Sequence, residues 1–369
     1  MARGKCSRAS ISRHHRAHPM GHFHPVIYAG IDEAGYGPLL GPLCVGCAAF
    51  VLPDAGDAPA ASAGDAPPPC LWKALSAAVC RVTNDKRRRI AVEDSKKLKG
   101  AKDAAGHPLR HLERGVAAFA SAVPGAPAEW PDDRALLAAL GASPGPAPAA
   151  PHPWHADAHP LPVGNDAASL RIAGAMLRAT LAKSGIELAT LSVRAIDPHE
   201  FNALAARVSN KATINFMAAA EHVERVRRLA ASRGVPAWVS LDRQGGRTAY
   251  REPLQSSFPD AQIRVLEESD GQQRYRLDFT ATAALPAHRV TVSFELGGEE
   301  RNLPIALASM AAKFARELHM RRLNEFFARH VPDLKPTAGY VLDGRRWVAE
   351  VGSAANALGI DESSLVRAI

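Results

Sequence analysis

The chain has 369 residues, 47% of them hydrophobic, and a formal net charge of +8. That length holds one large domain or two ordinary ones, and no apolar run reaches the roughly 18 residues of a membrane span, so no membrane partner is expected. Five of the cations, Arg3, Lys5, Arg8, Arg13 and Arg16, lie in the first 25 residues, which contain no acid. The rest is only mildly basic, which permits a polyanionic partner without demanding one.

Residues 1–25 have no apolar stretch of the kind that starts a secretory signal and lack the amphipathic period of a transit peptide, and their five histidines offer at most an adventitious metal site. They are expected to form a disordered basic tail. "VIYAGID" (26–32) reads as a buried strand, and "LCVGCAAFVL" (43–52) as its hairpin partner across a Gly/Pro turn. Cys44 and Cys47 form a C-x-x-C, but inside an apolar run and with no second pair, so they read as strand cysteines. An odd total of five cysteines, without a framework of spacings, implies a reducing compartment and a cytoplasmic protein.

Residues 53–69, rich in Ala, Pro, Asp and Gly, read as a loop, followed by a helix at about 71–80. The basic run 86–89 leads into "AVEDSKKLKG", and a second helix covers about 109–121. Residues 123–165 hold much of the proline and little periodicity, which predicts a disordered insertion. Helical patterns at 167–184 and 211–232 flank the strand "ELATLSVRAI", and "VPAWVSLD" (235–242) is a further buried strand ending on Asp242. "QRYRLDFTA" and "RVTVSFEL" alternate like antiparallel strands, and helices at about 303–329 and 344–358 close the chain. Residues 26–369 are therefore expected to form one α/β domain, with a central mixed sheet flanked by helices and C-terminal helices beyond about 330.

Two of these strands end on acids, Asp32–Glu33 and Asp242, where α/β proteins place functional groups. On the long helix Ser309, Lys313, Arg316 and Glu317 recur at spacings of three and four and so share one face. Carboxylates converging from strands and helix repel one another unless cations lie between them, and hard divalent ions such as Mg²⁺ or Mn²⁺ with oxygen ligands meet that need. Two such ions can support phosphodiester hydrolysis.

These residues carry a resemblance. "GIDEAGYGPLLGP" (30–42) resembles the "GIDEAGRGPLAGP" opening of the type 2 ribonuclease H family, ribonuclease HII and its relatives. "EDSKKL" (93–98) is similar to that family's D-S-K-K-L, and "GGEERNLPIALASMAAKFARE" (297–317) to its G-D-x-K-x-x-x-I-A-A-A-S-I-x-A-K-x-x-R-D helix. "AGYVLDGRRW" (338–347) is a weaker echo of G-Y-x-T-x-x-H, without the histidine. The resemblance implies a ribonuclease H-like fold and metal-dependent cleavage of the RNA strand of RNA–DNA hybrids, with no organic cofactor. It implies metal-ligating, catalytic carboxylates at Asp32, Glu33, Asp242 and Glu317. It further implies substrate contacts from Gly35, Tyr36, Gly37, Ser95, Lys96, Lys97, Ser309, Lys313, Arg316 and Tyr340.

The chain also departs from the pattern. Tyr36 replaces the arginine of the G-R-G motif, and the helix carries Glu317 where ribonuclease HII has aspartate. About 65 residues separate Asp242 from Ser309, an excess that reads as an added β-hairpin. The subtype, HII or HIII, stays open. Two rival readings remain. One is a dinucleotide-binding oxidoreductase prompted by "GYGPLLG", whose glycine spacing is one residue too long and whose preceding acids would repel a pyrophosphate. The other is a ribonuclease H-like protein that binds hybrids with weakened catalysis.

Overall fold

The fold starts from a hairpin. Val26–Ala34 (β1) and Leu43–Leu52 (β2) pair antiparallel, with Asp32 opposite Gly46. Both strands are apolar almost throughout because both faces are covered. A computed structural model describes residues 25–53, 67–100, 106–143, 152–208, 210–283 and 285–368. The tail expected over 1–25 lies, apart from Pro25, outside them, as does most of the loop 53–69.

After the hairpin come Leu71–Ala74 (α1), Val79–Cys80 (β3), Ile90–Ala91 (β4), Ser95–Leu98 (α2), Arg110–Ala120 (α3) and Asp133–Ala139 (α4). Ala167–Ser184 (α5), Glu187–Ile196 (β5), Pro198–Val208 (α6), Lys211–Arg233 (α7), Ala237–Asp242 (β6) and Arg251–Ser257 (α8) follow. The chain continues through Ala261–Glu268 (β7), Gln272–Phe279 (β8), His288–Glu295 (β9), Gly298–Arg301 (α9), Leu303–Ala328 (α10) and Val341–Ala357 (α11).

Seven strands form one mixed sheet in the order β5-β2-β1-β6-β9-β8-β7. The centre, β1-β6-β9, is parallel, while β2 beside β1 and β8 beside β9 run antiparallel to their neighbours. Helices cover both faces, with separate apolar cores. Trp238 and Phe119 lie in the core that includes α10, α3 and α5, and Phe294 and Tyr250 in the one that includes α7 and α8. The mixed α/β architecture expected from the sequence is therefore present. Among the described residues no helix is long and apolar enough to cross a membrane.

Helix α10 lies unusually close to the sheet. A Cβ on Gly30 would sit 2.1 Å from Ile305 N, and one on Gly46 2.2 Å from Ala308 O. Only glycine permits that approach. It seats the N-terminal half of α10 on β1 and β2 next to Asp32.

Two expectations need correction. Residues 123–143 and 152–165 are ordered rather than disordered, while 144–151 lie outside the described residues. Trp130 and Trp154 are buried, Trp130 donates to Ala117 O at 3.3 Å, and Asp133 makes a fully buried ion pair with Arg322 of α10. The segment is held by isolated anchors rather than a periodic apolar face, so its composition resembled that of a disordered stretch. The extra chain after Asp242 gives the three strands β7, β8 and β9, of which β7 was missed because it is an edge strand with most side chains exposed. Cys44 and Cys47 are buried in β2 as expected, and burial pushes both thiols up to about 12.

Candidate active site

The parallel strands β1 and β6 end side by side, which brings Asp32, Glu33 and Asp242 to one cleft. Its other walls are Gly35–Pro38, Ser95 and Lys96 of α2, Ser309 and Lys313 of α10, Glu299 of α9, and Tyr340. Short local signals shape these walls. Asp94 caps α2 by accepting from Lys96 N at 2.8 Å, which turns Lys96 into the cleft mouth. Asp242 accepts from Gly298 N at 2.7 Å and thereby fixes the start of α9, which carries Glu299. Ser309 Oγ lies 3.1 Å from Ser95 Oγ and donates to Glu299 at 3.4 Å, linking α2, α9 and α10.

The electrostatics of this cluster are repulsive. Asp32 is raised well above the ordinary carboxylate range by burial and by Glu33, Asp242 and Glu299, with the nearby Ser309 hydroxyl partly offsetting this. Glu33 is raised by burial and Asp242, against a hydrogen bond from Asn215 and the charge of Lys96. Burial also raises Asp242, although the backbone N–H groups of Gly298 and Arg243 favour its charged form. Glu299 is pushed up to about 7 by burial, then by Asp94 and Asp242.

Glu317 does not belong to this group. It follows Ser309 by two turns, about 12 Å along the helix. Lys99 and Lys313 hold it at 2.8 and 2.9 Å. Burial opposes its charge, but the two lysines outweigh that and bring it below the usual range. The fourth carboxylate at the cleft is Glu299. A signal for it was present: the G-D-x-K that opens the resembled helix motif aligns its acid with Glu299, at the other end from Glu317.

Arg316 needs the same correction. It is 2% exposed and donates to Pro42 O, Leu40 O and Ala338 O at 2.9–3.1 Å, so it braces the loop after β1 and does not face a ligand. Helical spacing put it on the stripe, but the loop 35–42 folds over it. Gly35 sits against this guanidinium with φ +88°, and a Cβ there would lie 2.7 Å from Arg316 Cδ. Arg367 completes the brace by donating to Gly35 O at 2.7 Å and to Pro38 O.

The remaining expected residues divide. Gly37 is exposed with open space around it, Tyr340 is 57% exposed at the rim, and Lys96 and Lys313 line the cleft. Ser95 is buried against Ser309, and Lys97 is engaged by Glu300 at 3.1 Å and Glu93 at 3.7 Å. Tyr36 is covered by Lys211 Nζ, 4.8 Å above its ring. The ring of Tyr36 is thus paired with a cation from the first turn of α7. Asn215, one turn further on, is buried beside Glu33 with its Oδ1 unpartnered.

The loop after β1 returns into β2 and not into a helix, so the glycines of "GYGPLLG" have no helix N-terminus behind them. That removes the dinucleotide-binding reading. Among the described residues no three His, Cys, Asp or Glu side chains are already closed into a metal-holding group. The donor chemistry nevertheless suits a hard cation: four carboxylates face one cleft, each raised by its surroundings.

No family model matches the chain, and no curated protein sequence matches it. Solved structures do. Ribonuclease HII of Archaeoglobus fulgidus, solved in complex with PCNA, aligns at 16% identity over 93% of this chain and 94% of that one, with a TM-score of 0.39. Ribonuclease H2 of Pyrococcus horikoshii aligns at 14% identity over 92% of each chain, TM-score 0.38. Bst-RNase HIII in complex with Mn²⁺ aligns at 10% over 94% of this chain and 67% of that one, TM-score 0.37.

Proposed function

We propose that the chain is a metal-dependent endonuclease that cleaves the RNA strand of RNA–DNA hybrids. The observation that carries this reading is the gathering of Asp32, Glu33, Asp242 and Glu299 at one cleft with their charges unneutralised. These four would hold two Mg²⁺ or Mn²⁺ ions, which supply water activation and stabilisation of the leaving oxygen when bound.

The protein's own groups do the rest. Lys96 and Lys313 would meet phosphate oxygens at the mouth of the cleft, and Lys211, seated on Tyr36, would place a third cation on the wall opposite α2. Gly37, with nothing crowding it, leaves main chain open for a ribose 2′-hydroxyl, the group that separates RNA from DNA. Ser309 orients Glu299 by donating to it, and Asn215 does the same for Glu33. Arg316 and Arg367 act one step removed, by fixing the loop that carries Gly35–Pro38.

The test is cleavage of a labelled RNA–DNA hybrid across a titration of Mg²⁺ and Mn²⁺, against duplex DNA and duplex RNA. Metal-dependent cuts confined to RNA in the hybrid support the reading. Tight hybrid binding without cleavage at any metal concentration would leave the chain as a binding protein.

A further inference from the structure

A second concave site is built from three separate segments. The loop Thr83–Ala91 forms one wall, the first turn of α3 the floor, and residues 164–169 the other wall. Four arginines point into or border it: Arg88, Arg89, Arg110 and Arg114. Its two acids are already engaged. Asp85 is held by Arg89 at 2.8 Å, and Asp166 caps α5 by accepting from Ser169 N at 2.7 Å. That leaves Arg88, Arg110 and Arg114 without a carboxylate of their own among the described residues that line the pocket.

The walls are locked before any ligand arrives. Arg114 donates to Arg88 O at 2.8 Å and to Ser169 O at 3.2 Å, tying the two walls across the floor. Glu113 accepts from Val163 N, Gly164 N and Asn165, which fixes the far wall onto α3. Arg88 itself has a φ of 55°, a conformation uncommon for a side chain of its size. The exposed Lys86 and Arg87 extend the positive surface beyond the pocket. A strip longer than one pocket suits a polymer of phosphates better than a single small anion.

The strip also joins the cleft through the chain. Arg89 precedes β4, and seven residues later Lys96 stands at the cleft, so the two are at most about 25 Å apart. The start of α3 is pinned to the end of the same segment, with Gly100 N donating to Pro108 O at 3.0 Å. A duplex rises about 3.4 Å per base pair, so at most about seven pairs would bridge the two sites.

We propose that this arginine pocket docks the phosphodiester backbone of the nucleic-acid arm that leaves the cleft. The proposal takes its duplex from the nuclease reading, and the test separates the two. Affinity is measured in chelator, by fluorescence anisotropy, for hybrids whose arms extend about 12 or about 4 base pairs from the centre, and for duplex DNA of the longer length. Two variants are used, each benign to the fold. Arg110→Glu puts an acid in the first turn of a helix, where it is favoured, and Arg88→Gly relieves a left-handed backbone.

Both variants should weaken long-armed hybrid about tenfold at low salt. Each should lower the slope of log affinity against log salt by about one. The short-armed hybrid should change less than twofold. Equal binding of the long arm by wild type and both variants overturns the proposal, as does a calorimetric loss of inorganic phosphate binding with no change for either duplex. If wild type cleaves no hybrid yet both variants still lose affinity for long duplexes, the docking site stands and the nuclease reading falls. Normal cleavage with unchanged long-arm affinity gives the reverse.

Discussion

Helix α10 carries charge into two settings that behave in opposite ways. Toward its C-terminal half, Arg322 meets Asp133 in a pair that is almost wholly shielded from solvent, and Glu317 is clamped between Lys99 and Lys313. Both acids stay below the usual carboxylate range because their cations outweigh the cost of burial. At its N-terminal half, the acids around Ser309 are all raised, and Glu299 reaches about 7. Neutralised charge holds the fold together at one end. Repelling charge is tolerated at the other, and a site that waits for cations has that character.

Breaking the repelling set should cost most in activity and nothing in stability. Asp32→Asn or Asp242→Asn should reduce hybrid cleavage by more than the 10–100-fold typical of losing even an outer-shell partner of a metal. In chelator, Asp32→Asn should melt at or above the wild-type temperature, since it removes a like charge. Near-wild-type turnover would take that residue out of the site, and a clear fall in melting temperature would contradict the repulsion.

Breaking the neutralised set should do the reverse. Asp133→Asn leaves Arg322 buried without its partner and should cost about 3–5 kcal/mol in denaturant unfolding, while the metal requirement of cleavage stays where it was. The pH dependence has a definite sign. Asp133 is lowered in the folded state, so its contribution is full above the unfolded aspartate value near 3.9 and is lost as pH falls through the folded value. The stability gap between wild type and Asp133→Asn should therefore be wide at pH 6 and close on acidification below about 4. A gap that stayed constant across that range would mean the pair contributes through shape alone.

A sharper contrast sets the two glutamates of one motif against each other. Glu299→Gln should raise the metal concentration for half-maximal cleavage about tenfold or more, and Glu317→Gln should shift it less than threefold. The opposite order would return the fourth-ligand role to Glu317. The smallest effect expected is that of Lys211→Met, which removes a cation resting on Tyr36. A loss of about 0.5–1 kcal/mol in hybrid binding, two- to fivefold, would match a partly exposed cation over a ring. Unchanged affinity and unchanged salt slope would show Lys211 to be only a lid on the tyrosine.

The sequence by itself determined the strands that end on Asp32–Glu33 and Asp242, because long apolar runs stopped by acids and glycines have few other readings. It determined the long helix, the hairpin 26–52 and the mixed sheet for the same reason: the periods are strong and local. Spacing along one helix, however, says which side chains share a face and not what lies over that face. Only the tertiary structure decided that the loop 35–42 covers Arg316 and that Lys99 reaches across to Glu317, and it chose Glu299 over Glu317 where the motif offered an acid at each end. It likewise placed Lys211 on Tyr36 and ordered the proline-rich segment through Trp130, Asp133 and Trp154. Each of these depends on contacts between residues far apart in the chain, whose energies come from burial and charge pairing that no local pattern records.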